Sequence, residues 1–192
     1  MLDSLKLFLS SNSLYKDMGY LEHVIEDMVD FLGDATRILF IPFAGVQCGA
    51  LLDKKWRDNT EVLREAFQKY GIDVVSLHTF GPITGMKDEI RKAQTIFIGG
   101  GNTHHLLYWL KEYDLIEGLQ ERLKAGVPMI GSSAGTNVFC PTICTTNDMP
   151  IISLPDLNAI GAVPFQINPH YTDSDRHSDH RGETREQRIE EY

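Results

Sequence analysis

Short apolar runs alternate along the chain with segments whose apolar residues recur at helical spacing, and this alternation is typical of α/β proteins. The pattern predicts strands at residues 5–9, 37–42, 73–78, 95–98 and 128–130, and helices at 20–32, 60–70, 102–113 and 115–124. The run RILFIP is apolar throughout, as expected for a strand covered on both faces. We therefore expect a doubly wound, mainly parallel sheet with helices on both faces and a site at the carboxyl ends of its strands.

Length and composition narrow the class of protein. The 192 residues suit a single domain, and 42% hydrophobic with 23% charged residues is ordinary globular composition. The net charge of −9 argues against a nucleic-acid or membrane partner, and no apolar run approaches the roughly 18 residues of a membrane span. Three cysteines (Cys48, Cys140 and Cys144) without metal-ligand spacing favour reduced thiols in the cytoplasm. A small-molecule or peptide substrate is the default expectation, for a monomer or a homodimer.

The segment from Gly131 to Gly135 fits the motif G-x-S-x-G between a predicted strand and the residues Thr136-Asn137-Val138. In that setting the central serine, Ser133, sits in a strained turn, so its neighbours must be small. The turn exposes the serine oxygen near the N-terminus of the following helix, where free N–H groups stabilise negative charge. Ser132 is the rival by residue type, and a plain Gly/Ser turn is the alternative. The motif predicts Ser133 as a nucleophile.

Three glycines follow the predicted strand at 95–98, and Asn102 comes directly after them. His104 stands where a dinucleotide fingerprint would need its third glycine, and the lysine of a P-loop is missing, so the motif does not indicate a nucleotide site. Such a strand end can bring a backbone N–H close to a substrate oxygen. Gly101 and Ala134 could then form an oxyanion hole, although a tight turn with no such role explains the glycines equally well.

A serine nucleophile needs a base, and the chain has seven histidines: His23, His78, His104, His105, His170, His177 and His180. His170 follows the strand-like run 165–169 and is expected at a strand end. The tail beyond it carries five side chains that could ligate a divalent ion: Asp173, Asp175, His177, Asp179 and His180. Their spacing matches neither an EF-hand nor HExxH, so we expect no metal and no other cofactor.

Six segments together resemble the peptidase E (α-aspartyl dipeptidase) family of serine peptidases over nearly the whole chain: IGGGNTHHLL, GSSAGTNV, TTNDMPI, LNAIG, PFQINPHYTD and GETREQRI. The resemblance implies an α/β fold related to the class I glutamine amidotransferase domain and metal-free hydrolysis of dipeptides with N-terminal aspartate. It implies Ser133 as nucleophile, His170 as base and the N–H groups of Gly101 and Ala134 as oxyanion donors. We place Asn102 and Arg185 among the substrate-binding residues. Arg185 is chosen because a guanidinium can bind a carboxylate through two hydrogen bonds, and Arg188 is the reserve.

The family's triad acid is a glutamate well beyond the histidine, whereas this sequence ends 22 residues after His170. Residues 183–192 read as the start of a helix whose apolar face ends at once, with Glu183, Glu186, Glu190 and Glu191 on its solvated side. We therefore expect that residues 1–192 form one hydrolase domain lacking its C-terminal segment. Asp148 is the best candidate within the chain to orient the base or bind the substrate amine, and an Asx turn before Pro150 is its alternative role.

The expected reaction is acyl transfer from an aspartyl dipeptide to Ser133 and then to water, with His170 moving the proton. Two alternatives stay open at this point. One is a cyanophycinase-like serine peptidase, which also handles aspartyl groups. The other is a non-catalytic binding domain that retains the elbow.

Overall fold

The computed structural model describes residues 5–49, 51–172 and 184–192. Five strands form one sheet in the order β1-β5-β4-β2-β3, and all neighbouring strands are parallel. Their bounds are β1 Leu7–Ser10, β2 Arg37–Ile41, β3 Asp73–Ser76, β4 Ile96–Ile98 and β5 Met129–Ser132. The predicted doubly wound α/β architecture is confirmed, and each of the five predicted strands overlaps an observed one.

Seven α-helices lie in the described residues: α1 Ile25–Leu32, α2 Leu51–Gln68, α3 Ile83–Lys92, α4 Thr103–Glu112, α5 Ile116–Lys124, α6 Ala134–Asn137 and α7 Arg185–Glu190. Helix α2 begins nine residues before its predicted start. Helix α3 was not predicted, although its apolar residues Ile83, Met86 and Ile90 recur at helical spacing. None of the helices in the described residues has the length and hydropathy that crossing a membrane requires.

Two hydrophobic clusters cover the two faces of the sheet. Leu39 and Ile41 of β2 pack into one cluster, and Ile38 and Phe40 pack into the other. Because successive side chains of a strand point to opposite faces, both sets must be apolar when both faces are covered. This double burial accounts for the unbroken apolar run that predicted β2.

The strand register brings three chain segments to one edge of the sheet. Ser10, at the end of β1, pairs with Ser132, and Ile98, at the end of β4, pairs with Gly131. The carboxyl ends of these three neighbouring strands are therefore level. The segments that leave them must meet in space, as the rule for open parallel sheets predicts.

Candidate active site

Ser133 occupies a sharp turn between β5 and α6, with φ of 53° and ψ of −112°. Positive φ is costly for a residue with a side chain and persists only when its surroundings hold it. The Ser133 N–H donates to the Ser10 carbonyl at 3.0 Å, and the Ser133 carbonyl accepts from Thr136 N–H at 2.9 Å. A Cβ on Gly135 would lie 2.0 Å from the Ile98 carbonyl oxygen, so this position excludes any side chain. The strained turn is therefore built from β1, β4 and α6 together.

The two adjacent serines have different environments. Ser132 is fully buried, and its Oγ lies 2.6 Å from Ser13 Oγ. Ser133 is partly exposed and lines a cavity. A substrate in that cavity can reach Ser133 Oγ, whereas Ser132 Oγ is enclosed in the protein.

The Ser133 Oγ and His170 Nε2 atoms lie 2.8 Å apart, a distance that suits proton transfer from a hydroxyl to an imidazole. His170 is exposed and has a φ of 61°, so its backbone is also in a disfavoured region. Its N–H donates to Ser11 Oγ at 2.8 Å, which ties it to the segment after β1. Two residues separated by 37 positions are thus brought into the pairing that serine catalysis requires.

The expectation that His170 follows a strand is wrong. Residues 165–169 form no strand, and their backbone groups bond to side chains instead of to a sheet. The Ile167 carbonyl accepts from Asn137 Nδ2 at 2.7 Å and from Thr145 Oγ1 at 2.6 Å. The Pro169 carbonyl accepts from Asn147 Nδ2 at 3.0 Å. Because these residues join no strand, side-chain donors satisfy backbone carbonyls that would otherwise be unpaired.

A cavity of about 370 Å³ opens beside the serine–histidine pair. Its lining residues are Ser13, Leu14, Tyr20, Phe40, Asn59, Val62, Gly100, Gly101, Ser133 and His170. This volume falls in the range of small-ligand sites. Among these lining residues, His170 has the only basic side chain, and the others are apolar or neutral polar residues.

Three polar residues of this cavity were missed by sequence reasoning: Ser13, Tyr20 and Asn59. Burial raises the pKa of Tyr20, partly offset by its hydrogen bond with Ser13, so the phenol stays protonated and can donate. The Asn59 amide makes no hydrogen bond within the described part of the chain, so it is free to bind a ligand. Ser13 lies just after the end of β1, so a search of the residues that follow predicted strands could have found it. Asn59 lies inside α2, where no motif marks it.

Gly101 lies where the glycine loop comes closest to the segment after β2. A Cβ on Gly101 would lie 2.2 Å from the Ala44 carbonyl oxygen, and its φ is 142°. A Cβ on Gly100 would be 3.8 Å from Ser133 Oγ, which shows how closely the loop approaches Ser133. Within the described residues, neither Gly101 N–H nor Ala134 N–H donates a hydrogen bond. Both donors predicted for an oxyanion hole are therefore unoccupied and lie in segments next to Ser133.

Asn102 and Asp148 both bond to the start of α4. Asn102 Oδ1 accepts from His105 N–H at 3.0 Å, and its Nδ2 donates to the Met149 carbonyl at 2.9 Å. Asp148 Oδ2 accepts from the N–H of Thr103 at 2.7 Å and from its hydroxyl at 2.6 Å. The Asn102 side chain is a helix cap, and the cavity lining does not include it.

Asp148 also lines a small cavity that includes Ser133, Ala134 and His170, so its charge lies near the pair. No described carboxylate hydrogen-bonds to His170.

Arg185 begins α7, and its Nη1 is buried without a hydrogen-bond partner in the described residues. It does not line the cavity beside Ser133. The predicted helix at the chain end is present, and Glu186, Glu190 and Glu191 are exposed as expected. Glu183 and the possible ligands Asp173, Asp175, His177, Asp179 and His180 lie outside the described residues. In the remainder, no three His, Cys, Asp or Glu side chains converge as a metal site would require.

His105, which follows the glycine loop, is a structural residue. It is buried, its Nδ1 lies 2.7 Å from the Phe43 carbonyl oxygen, and its Nε2 accepts from Trp109 Nε1 at 3.2 Å. Burial lowers its pKa, although the bond to Phe43 opposes the shift. A neutral ring that donates through Nδ1 and accepts through Nε2 satisfies both contacts, so His105 is not available as a base.

The parallel sheet, the strained serine at the end of β5 and its histidine partner define the class of this protein as an α/β serine hydrolase. Comparison with known proteins identifies the family. The sequence pattern of Peptidase family S51 matches residues 7–192, and the chain belongs to this family. The resemblance to peptidase E expected from its motifs is confirmed.

Relatives cover nearly the whole chain. "Peptidase E" of Streptomyces coelicolor is 42% identical over 188 residues, which are 98% of this chain and 73% of the relative. "Probable alpha-aspartyl dipeptidase" of Drosophila melanogaster is 42% identical over 192 residues, or 97% of this chain and 74% of the relative.

A crystal structure of a putative peptidase E protein from Listeria monocytogenes superimposes with a TM-score of 0.64. It is 23% identical and covers 84% of this chain and 77% of that protein, so it supports the fold alone.

Proposed function

We propose that this protein is a serine dipeptidase that hydrolyses dipeptides with N-terminal aspartate. One observation carries the proposal: Ser133 Oγ lies 2.8 Å from His170 Nε2 on the wall of a cavity of about 370 Å³. The chain belongs to Peptidase family S51, and relatives 40–42% identical are named peptidase E or probable alpha-aspartyl dipeptidase. A nucleophile, a base and a space suited to a small peptide are what this reaction needs.

In the proposed reaction, His170 Nε2 accepts the Ser133 hydroxyl proton as Oγ attacks the peptide carbonyl carbon. The carbonyl oxygen becomes an oxyanion and accepts hydrogen bonds from Gly101 N–H and Ala134 N–H, each worth about 3 kcal/mol in the transition state. The C–N bond then breaks, and His170 gives its proton to the leaving amine. A water molecule, deprotonated by His170, hydrolyses the aspartyl ester and regenerates Ser133.

Substrate selection rests on two proposed contacts. In one, the Arg185 guanidinium pairs with the aspartyl carboxylate, because its fork of donors suits bidentate recognition. Its Nη1 has no partner in the described residues, but the residue does not line the cavity beside Ser133, so this contact requires the substrate to extend beyond that cavity. The Asp148 carboxylate lies in the small cavity beside His170 and stabilises the imidazolium or the substrate amine. Because Asp148 also bonds to Thr103, its charge is held in place by α4.

The net charge of −9 supports a small peptide, rather than nucleic acid or a membrane, as the partner. We also propose a cytoplasmic location, supported by the three free cysteines.

The test is hydrolysis of Asp-Leu compared with Glu-Leu and Ala-Leu, with and without EDTA, by the wild type and by Ser133→Ala. We expect activity restricted to Asp-Leu, resistant to EDTA and lost in the variant. If the folded wild type does not cleave Asp-Leu but is labelled at Ser133 by a fluorophosphonate, the substrate class is wrong. If it does neither, the protein is not a serine hydrolase.

A further inference from the structure

We propose that Asn137 and Thr145 are positioning residues that hold His170 in register with Ser133. The inference rests on the proposed function, because it assigns the base of that reaction to His170. The two side chains act on a single backbone atom, the carbonyl oxygen of Ile167, three residues before the histidine.

Asn137 links the nucleophile and base segments directly. It ends α6, the helix that begins directly after Ser133, and its N–H donates to the Ser133 carbonyl at 3.0 Å. Its side-chain Nδ2 donates to the Ile167 carbonyl at 2.7 Å. One residue therefore bonds at the same time to the backbone of the nucleophile and to the segment that carries the base.

Thr145 completes the contact. Its hydroxyl donates to the Ile167 carbonyl at 2.6 Å and accepts from Asn137 Nδ2 at 3.2 Å, and its own carbonyl accepts from Asn168 Nδ2 at 2.6 Å. A closed triangle of hydrogen bonds resists displacement better than one bond does, because moving any member strains the other two contacts.

The base segment needs such support. Residues 165–169 belong to no strand, and His170 has a φ of 61°, which an isolated chain would leave readily. A shift of about 1 Å in a catalytic group can lower a rate by about 100-fold. Hydrogen bonds at Ile167 are close enough to His170 to prevent such a shift.

The burial of Asn137 argues that its amide has a use beyond filling space. The residue is 0% exposed, and its Oδ1 has no hydrogen-bond partner in the described structure. An unpaired buried acceptor is unfavourable, so an apolar side chain of similar size would suit this position better if packing were the only demand. The amide donor Nδ2, which makes two hydrogen bonds, is therefore the feature of asparagine that this position uses.

The experiment compares Thr145→Val, which removes the hydroxyl but keeps the shape, with Thr145→Ser, which keeps the hydroxyl. Asn137→Ala is the second perturbation. Val138→Ala, at a neighbouring buried residue whose side chain makes none of these hydrogen bonds, is the control for lost stability. Each protein is checked for folding, for kcat and KM on Asp-Leu, and for the rate of Ser133 labelling by a fluorophosphonate.

We expect Thr145→Val and Asn137→Ala to lower kcat and the labelling rate by about 10- to 100-fold with KM changed less than about threefold. Thr145→Ser and Val138→Ala should stay within about threefold of wild type. The inference is overturned if Thr145→Val labels at the wild-type rate, or if Thr145→Ser or Val138→Ala loses as much as Thr145→Val. Should Asn137→Ala fail to fold, the Thr145 pair decides. Wild-type labelling without Asp-Leu hydrolysis would refute the proposed substrate and leave this comparison intact.

Discussion

Replacing Ser133 by glycine should make the protein more stable than replacing it by alanine, although we expect both variants to be inactive. Both substitutions remove Oγ, so the comparison isolates the backbone. Ser133 has a φ of 53° and a ψ of −112°, a conformation that costs a residue with a Cβ about 1–3 kcal/mol. Glycine adopts positive φ freely, but it loses about 0.5–1 kcal/mol more conformational entropy on folding than alanine does. The net expectation is about 1 kcal/mol in favour of glycine.

The adjacent serine provides the reference pair. Ser132 lies in β5 and is not among the residues with positive φ, so glycine there gains nothing and should be about 0.5–1 kcal/mol less stable than alanine. The sign of the glycine–alanine difference should therefore reverse between positions 132 and 133. No general effect of glycine on this strand end could produce such a reversal.

Thermal and urea unfolding of the four variants measure the effect. For a chain of this size, about 1 kcal/mol corresponds to a shift of about 2–4 °C in Tm. If Ser133→Gly is no more stable than Ser133→Ala, the turn stores no strain. The geometry at Ser133 would then be an unstrained consequence of the fold.

Three further predictions follow from individual contacts. Gly101→Ala places a Cβ 2.2 Å from the Ala44 carbonyl oxygen, so the Gly101 N–H should be displaced and kcat on Asp-Leu should fall by about 100- to 1,000-fold. In the control Gly71→Ala, nothing lies within 4 Å of the added Cβ, and kcat should be unchanged. Equal kcat in the two variants would refute the role of the loop. Burial lowers the pKa of His105, so the unfolded chain binds a proton more readily than the folded one, and the free energy of unfolding should fall as pH drops below about 6.5. Urea unfolding at pH 7.5 and 5.5 should show a smaller loss of stability for His105→Gln than for the wild type. An equal loss in both proteins would contradict the prediction. Asn59→Ala should raise KM for Asp-Leu more than it lowers kcat, because the amide has no partner in the described structure and lines the cavity; a change in kcat alone would exclude a binding role.

The sequence predicted the elements of the sheet better than it predicted the helices. Strands covered on both faces, such as β2, are continuous apolar runs that are visible without any tertiary knowledge. Helix α3 was missed although Ile83, Met86 and Ile90 recur at helical spacing. Helix α2 extends nine residues farther toward the N-terminus than its periodicity indicated.

The active-site segments were also visible in sequence where local sterics dictate residue type. The turn at Ser133 requires small neighbours, and the close approach of Gly101 to Ala44 requires glycine. Both requirements are therefore recognisable in the sequence as motifs. Asn102 shows the limit of this reasoning. Its substrate-binding role stays a prediction, whereas its cap of α4 and its bond to the Met149 carbonyl are contacts that the glycine motif did not indicate.

The sequence by itself determined the α/β class, the family and the two residues of the proposed nucleophile–base pair, because burial on two faces and tight turns restrict residue types locally. Only the tertiary structure decided that His170 lies on a segment outside the sheet. That segment is held by Asn137 and Thr145, through hydrogen bonds between residues 22 and 30 positions apart. The level ends of β1, β4 and β5 likewise bring Ser13 to the cavity, and α2 adds Asn59. Such contacts depend on where strands end relative to one another, and no local pattern of residues records that.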